Sequence, residues 1–181
     1  MKWKPLIVFL GILLAAFLLF PIRVYRLIHP PTSQDVVQQV FKGNQVFDIF
    51  TSSQQVTAQL LHKVDDYPDL EKLSSYKKED AVPVSPTVQQ TIKKLLSSPK
   101  SYQWDSDNKC TPDYGVLLNF SSGGQTVRIA LCFRCDLLGV FIGKDDSKTK
   151  ISRKWFKSVR KPMIEVVKST FPNDKEIQAL K

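Results

Sequence analysis

The chain has 181 residues, a net charge of +9, three cysteines and two histidines. This length fits one modest domain and a segment separate from it. The two histidines, His29 and His62, are too few and too isolated to indicate a Ser-His-Asp or Cys-His catalytic arrangement, and no nucleic-acid reader motif is present. The sequence therefore disfavours an enzyme and gives no reason to expect a nucleic-acid partner.

The N-terminal stretch predicts a membrane anchor. Residues 6–20 contain no charged or strongly polar side chain, and the wider range 3–22 has about the 20 residues needed to span a bilayer. A basic start also fits a cleaved signal peptide, but bulky residues follow Ala15-Ala16, where cleavage would need small ones. We expect residues 1–28 to be an uncleaved signal anchor that places residues 3–22 in the lipid bilayer.

The flanking charges of this anchor favour, by a small margin, an N-terminus in the cytoplasm. On this interpretation the chain is a single-pass membrane protein. Residues 29–34, which include Pro30-Pro31, form a short stiff neck, and residues 35–181 form a small domain outside the cytoplasm.

The first part of this domain contains three predicted elements. Apolar positions over 36–41 indicate a short helix, which Gly43 ends. Alternating apolar and polar residues over 54–62 indicate a strand that could add a third ladder to a later hairpin. Residues 65–78 are polar and rich in turn formers, so this range is predicted to be a loop.

A second helix is predicted from its start signal. Ser85 is a suitable N-cap, and Pro86 suits the first helical position. The apolar periodicity ends near Ser98, so the helix is expected to end there. Beyond it, Tyr102 and Trp104 indicate a brief strand.

Residues 115–134 give the strongest strand signal, an alternating apolar pattern interrupted by Gly123-Gly124. If these glycines form a two-residue turn, Ser122 faces Gln125. The register then places three apolar pairs on one face of the hairpin: Phe120 with Val127, Leu118 with Ile129, and Val116 with Leu131. A slip of one residue would move all six side chains to the other face, so the pattern specifies the register.

After this hairpin, residues 137–142 predict another strand. A helical pattern begins at Ser152 and is expected to kink or break near Pro162. The predicted fold class is α+β, with a small antiparallel sheet of about four strands and two or three flanking helices.

The three cysteines are expected to meet at the open end of the hairpin. Extending the register puts Cys110 and Cys135 on the apolar face and Cys132 on the opposite face. A structural disulfide between Cys110 and Cys135 is favoured, since it fits an oxidising compartment and a small core. The alternatives are packed free thiols, a redox pair, and a zinc site in which Cys110, Cys132 and Cys135 are ligands. No other cofactor is predicted.

A sequence resemblance covers roughly residues 85–142. Cys110-Thr111-Pro112, a strand from Gly115 to Phe120, and a C-F-x-C segment at residues 132–135 follow one another in the chain. This order resembles that in a group of uncharacterised bacterial proteins, exported or membrane-anchored. The resemblance implies a domain of that type and brings no assigned activity.

The positive charge is concentrated near the C-terminus, where residues 144–168 contain nine basic and three acidic side chains. Five basic residues fall on the predicted last helix and could contact anionic lipid or an acidic protein surface, or simply face solvent: Arg153, Lys154, Lys157, Arg160 and Lys161. The sequence thus favours a membrane-anchored protein with a non-enzymatic interaction or structural role. The alternative is a thiol- or metal-dependent activity at the three cysteines.

Overall fold

Residues 30–64, 72–105, 110–146 and 150–181 are described in the structure, which is a computed structural model of the chain. Contacts divide the chain into two units, Met1–Thr32 and Ser33–Lys181. The predicted anchor at residues 3–22 lies outside the described residues. Within the described ranges, no helix has the length and apolar character needed to cross a membrane.

In the described residues, seven antiparallel strands form one sheet. Their bounds are β1 Gln55–Lys63, β2 Tyr76–Lys78, β3 Val82–Pro83, β4 Val116–Ser122, β5 Gln125–Cys132, β6 Leu137–Ile142 and β7 Ser152–Trp155. The sheet order is β2-β1-β4-β5-β6-β7, and β3 also pairs with β1. The expected number of about four strands was therefore too low, because β2, β3 and β7 are short and carry little alternation of their own.

The central hairpin has the predicted register. Phe120 pairs with Val127, and Ser122 pairs with Gln125 across the turn. Gly123 and Gly124 have φ values of +56° and +76°, which suit the two-residue turns that match the twist of paired strands. The predicted third ladder also forms, between β1 and β4.

Five α-helices are present in the described ranges: α1 Ser33–Asp35, α2 Asn44–Ser52, α3 Pro86–Ser97, α4 Arg160–Thr170 and α5 Lys175–Gln178. A π-helical turn, Val36–Val40, continues α1. The predicted start of α3 is confirmed, since the Ser85 hydroxyl accepts a hydrogen bond from the backbone N–H of Val88 at 3.4 Å. Helix α2 was not predicted, because Gly43 was expected to end the helical segment. It instead lies between the helical turn Val36–Val40 and α2.

Two predictions about secondary structure are wrong. Ser152–Trp155 is strand β7, because it pairs with β6 in preference to starting the last helix, and α4 begins only at Arg160. Part of the expected loop over 65–78 is also structured: Leu73–Ser75 is a 3₁₀ turn and Tyr76–Lys78 is β2. Residues 65–71 of that range lie outside the described residues.

The helices cover one face of the sheet. Their buried side chains pack with the apolar face of the hairpin in the main core, in which Phe50 and Phe120 have ring centroids 4.8 Å apart. The other face carries a second, smaller core without a helix among its members. Most of this core comes from side chains on strands: Leu61, Tyr76, Leu117, Ala130, Cys132, Leu137 and Phe141. The rest comes from turns and from the irregular segment that leads into β4. The sheet is thus buried on both faces.

Candidate functional site

The second core contains the three cysteines. Cys110 and Cys135 form a disulfide across a sequence separation of 25, with their Cα atoms 6.0 Å apart. Cys110 lies in the irregular segment that precedes β4, and Cys135 lies in the turn between β5 and β6. The bond therefore fastens the segment that enters the hairpin to the turn that leaves it.

The predicted separation of the cysteines onto two faces is wrong. Cys110 and Cys135 pack in the same cluster as Cys132, on the face opposite Leu131 and Phe133. The reason is the turn after β5, which ends at Asp136 with a φ of +54°. A turn of this kind interrupts the two-residue alternation of a strand, so parity counted along β5 fails beyond Cys132.

Cys132 remains a thiol and is fully buried. Its sulfur accepts a hydrogen bond from the backbone N–H of Asp113 at 3.2 Å, which links β5 to the segment before β4. Two of the three sulfurs are bonded to each other, so they do not offer the three thiolates that the zinc hypothesis required. In the described ranges, no group of three or more His, Cys, Asp or Glu side chains is placed to hold a metal ion.

Tyr114 lies over β6 in this second core and is 1% exposed. A Cβ atom on Gly139 would lie 2.4 Å from the Tyr114 hydroxyl oxygen, so the ring occupies space that only glycine leaves open. Tyr114 also contacts the ring of Tyr76 with centroids 5.9 Å apart, and burial raises the pKa of Tyr76 to about 12. The sequence signal for this packing is Gly139, a glycine inside a predicted strand, which often marks a close approach of another group.

A partly buried ion-pair network lies on the same side of the sheet. The Arg128 guanidinium, whose side chain is 5% exposed, pairs with the Asp146 carboxylate and donates to the Asp145 carbonyl at 2.8 Å. Lys78 pairs with the other Asp146 oxygen. Burial by itself would raise the pKa of Asp146, but hydrogen bonds from Lys78 and Arg128 outweigh it and hold that pKa below its ordinary value. This carboxylate therefore joins the loop after β6 to the sheet and is not arranged as an acid or base.

A cleft of about 230 Å³ lies where β1, the segment before β4 and α5 meet. His62, the only histidine of the domain, lines it and pairs with Glu79 at 2.8 Å, while Asp113 pairs with Lys63 at 2.9 Å. These four side chains are all well exposed. Within the described ranges, the partner shown for His62 is the exposed Glu79 carboxylate, whereas a catalytic pair would join the ring to a hydroxyl or thiol nucleophile.

The five basic residues of the predicted anionic-surface site do not share one helix. Arg153 and Lys154 are on β7, Lys157 is in a 3₁₀ turn, and Arg160 and Lys161 start α4. The Arg160 guanidinium is used internally, where it donates to the Phe133 and Lys181 carbonyls and pairs with Asp136.

The aromatic neighbours of the β7 cations were not foreseen. The Lys154 ammonium lies 4.9 Å from the centroid of the Trp104 ring, and the Arg153 guanidinium carbon lies 5.9 Å from that of Trp155. The predicted strand at Tyr102 and Trp104 is reduced to one bridge, between Gln103 and Trp155.

Comparison with known proteins finds no family model, no curated protein and no solved structure that matches the chain.

Proposed function

We propose that this chain is a membrane-tethered protein whose domain, residues 33–181, lies outside the cytoplasm and has a non-enzymatic interaction role. The observation that carries the proposal is the disulfide between Cys110 and Cys135. Such bonds form and persist in oxidising compartments and are rare in the cytosol of mesophiles. The segment 3–22, which extends the apolar run 6–20 and includes Lys4, is long enough to hold the domain at a membrane.

The reactive side chains of the described residues support a non-enzymatic role. Cys132 is fully buried in an apolar cluster, so its sulfur is not accessible to a substrate. Asp146 is engaged by two cations, and His62 pairs with an exposed Glu79. We therefore expect the domain to act through surface contacts with a partner and not through a reactive side chain.

The experiment has two readouts on cells that express the chain with a C-terminal tag. Protease added to spheroplasts should remove the tag, whereas a tag behind the membrane would be protected. Alkylation of the denatured, unreduced protein should label only Cys132, and reduction should release Cys110 and Cys135. A protected tag with three alkylated thiols would refute the proposed location, and three thiols with a stoichiometric amount of zinc would support the metal-dependent alternative.

Membrane attachment is measured on the same cells. The full-length chain should stay in the membrane pellet after alkaline carbonate extraction, and its mass should include the residues from Met1 or Lys2 onward. A mature protein that begins after Ala16 would show that the segment is a cleaved signal peptide and would refute the tether.

A further inference from the structure

Strand β7 is the last strand of the sheet, and its two sides carry similar chemistry. On one side the guanidinium of Arg153 lies over the ring of Trp155, and on the other the ammonium of Lys154 lies over the ring of Trp104. The backbone N–H of Gln103 donates to the Trp155 carbonyl at 3.0 Å, which fixes the segment that carries Trp104 beside β7. The 3₁₀ turn with Lys157 packs against the turn Pro99–Ser101. We call Trp104, Arg153, Lys154, Trp155 and Lys157 the β7 edge surface.

The composition of this surface fits the headgroup layer of a membrane. Both tryptophans are only partly buried, and large aromatic rings are enriched at membrane interfaces. The Trp104 N–H donates to the Pro99 carbonyl at 2.8 Å and the Trp155 N–H is buried, so the rings present their apolar surface. Arg153 and Lys157 are exposed, and residues 150–161 contain six basic side chains and no acidic one. Cations at such a position attract anionic headgroups and add about fivefold each to binding.

The chain enters the domain next to this surface. The Ser152 hydroxyl donates to the Val40 carbonyl, and the Lys154 ammonium donates to the Gln39 side-chain oxygen at 3.3 Å. The helical segment that begins at Ser33 therefore packs beside β7. In a tethered chain, about ten residues separate the end of the apolar run from Ser33, which allows a reach of roughly 35 Å. This confinement raises the effective concentration of the surface at the bilayer, so weak individual contacts suffice.

Two other roles are less well supported. Charged side chains on an edge strand deter pairing with another sheet, but this role does not require a tryptophan beside each cation. An acidic protein could also contact the cations, but the membrane tether would bring lipid headgroups near β7 and would not bring such a protein there. The combination of aromatic rings, cations and position favours lipid.

We propose that the β7 edge surface docks the domain onto anionic phospholipid headgroups of the bilayer that holds its anchor. This inference rests on the proposed membrane tether. The β7 edge surface differs from the site expected from sequence, since Trp104 and Trp155 join it and Arg160 and Lys161 leave it.

The test uses the full-length chain in nanodiscs made of phosphatidylcholine alone or with phosphatidylglycerol added. Hydrogen exchange is measured by mass spectrometry in peptides that cover residues 99–105 and 150–159. Both should exchange more slowly in the anionic discs at low salt, and added salt should remove the difference. Peptides from the Gly123-Gly124 turn should exchange equally in both discs.

A charge-reversed variant and a matched control assign the effect to the surface. Arg153→Glu, Lys154→Glu and Lys157→Glu together should weaken docking by at least about a hundredfold and abolish the lipid-dependent protection. The control, Lys77→Glu, Lys144→Glu and Lys175→Glu, changes the net charge equally at exposed lysines elsewhere and should keep it. Slow exchange in β5 shows that each variant is folded. If the charge-reversed variant does not fold, the lipid and salt dependence of exchange in the parent chain decides whether the surface docks.

The two proposals fail in distinguishable ways. A chain that does not insert into either disc refutes the tether and with it the proposed function. A chain that inserts but exchanges equally in both discs refutes docking, and so does equal loss of protection in the control variant. Binding to an acidic protein without a response to lipid composition would also overturn the inference.

Discussion

Removing the Cys110–Cys135 disulfide should cost the domain about 3.5 kcal/mol of unfolding free energy. The estimate comes from loop closure, because the bond removes chain entropy from the unfolded state over a sequence separation of 25. For a domain of this size such a loss corresponds to a fall in Tm of about 10 °C. The double variant Cys110→Ser/Cys135→Ser avoids leaving one of the two thiols free near Cys132.

Urea unfolding of residues 33–181, with and without reductant, measures this effect. Reductant should lower the midpoint of the parent to nearly that of the double variant, which should itself be insensitive to reductant. A Cys132→Ser control should keep the full response to reductant, because Cys132 is outside the bond. The loop-closure reasoning fails if the parent keeps its midpoint while mass measurement shows that its disulfide is reduced.

Two further predictions concern packing in the second core and the ion pair on the same side of the sheet. Gly139→Ala should lose about 1–3 kcal/mol of unfolding free energy in urea, because its Cβ would meet the Tyr114 hydroxyl at 2.4 Å, whereas Gly115→Ala, with open space around its Cβ, should be nearly neutral. A smaller loss from Gly139→Ala in a Tyr114→Phe background would identify the clash, and equal losses for the two glycine variants would contradict it. Asp146→Asn should lose about 1–3 kcal/mol, because it removes the carboxylate that pairs with the buried Arg128 guanidinium. Because the pKa of Asp146 is lowered in the folded state, its contribution to stability is complete above the ordinary carboxyl pKa near 4 and is lost as pH falls through the folded pKa. The unfolding free energy of the Asp146→Asn variant should therefore fall less steeply with acid than that of the parent, and identical pH profiles would refute this assignment.

Local patterns predicted the elements whose stability depends on their own sequence. The hairpin register followed from alternation on both sides of Gly123-Gly124, and the start of α3 followed from Ser85-Pro86. The same reasoning failed for Ser152–Trp155, where a helical period continues into the following residues. Pairing with β6 outweighed that local preference, as tertiary contacts often do.

The sequence by itself determined the α+β class, the central hairpin and the proximity of Cys110 to Cys135, because alternation and turn chemistry act over a few residues. Tertiary structure decided which face of the sheet the cysteines occupy, that Arg128 is buried with Asp146, and that two tryptophans flank the cations of β7. Each of these depends on a turn or loop that brings distant residues together. A periodic pattern records which positions share a face of one element, but it does not record what later covers that face.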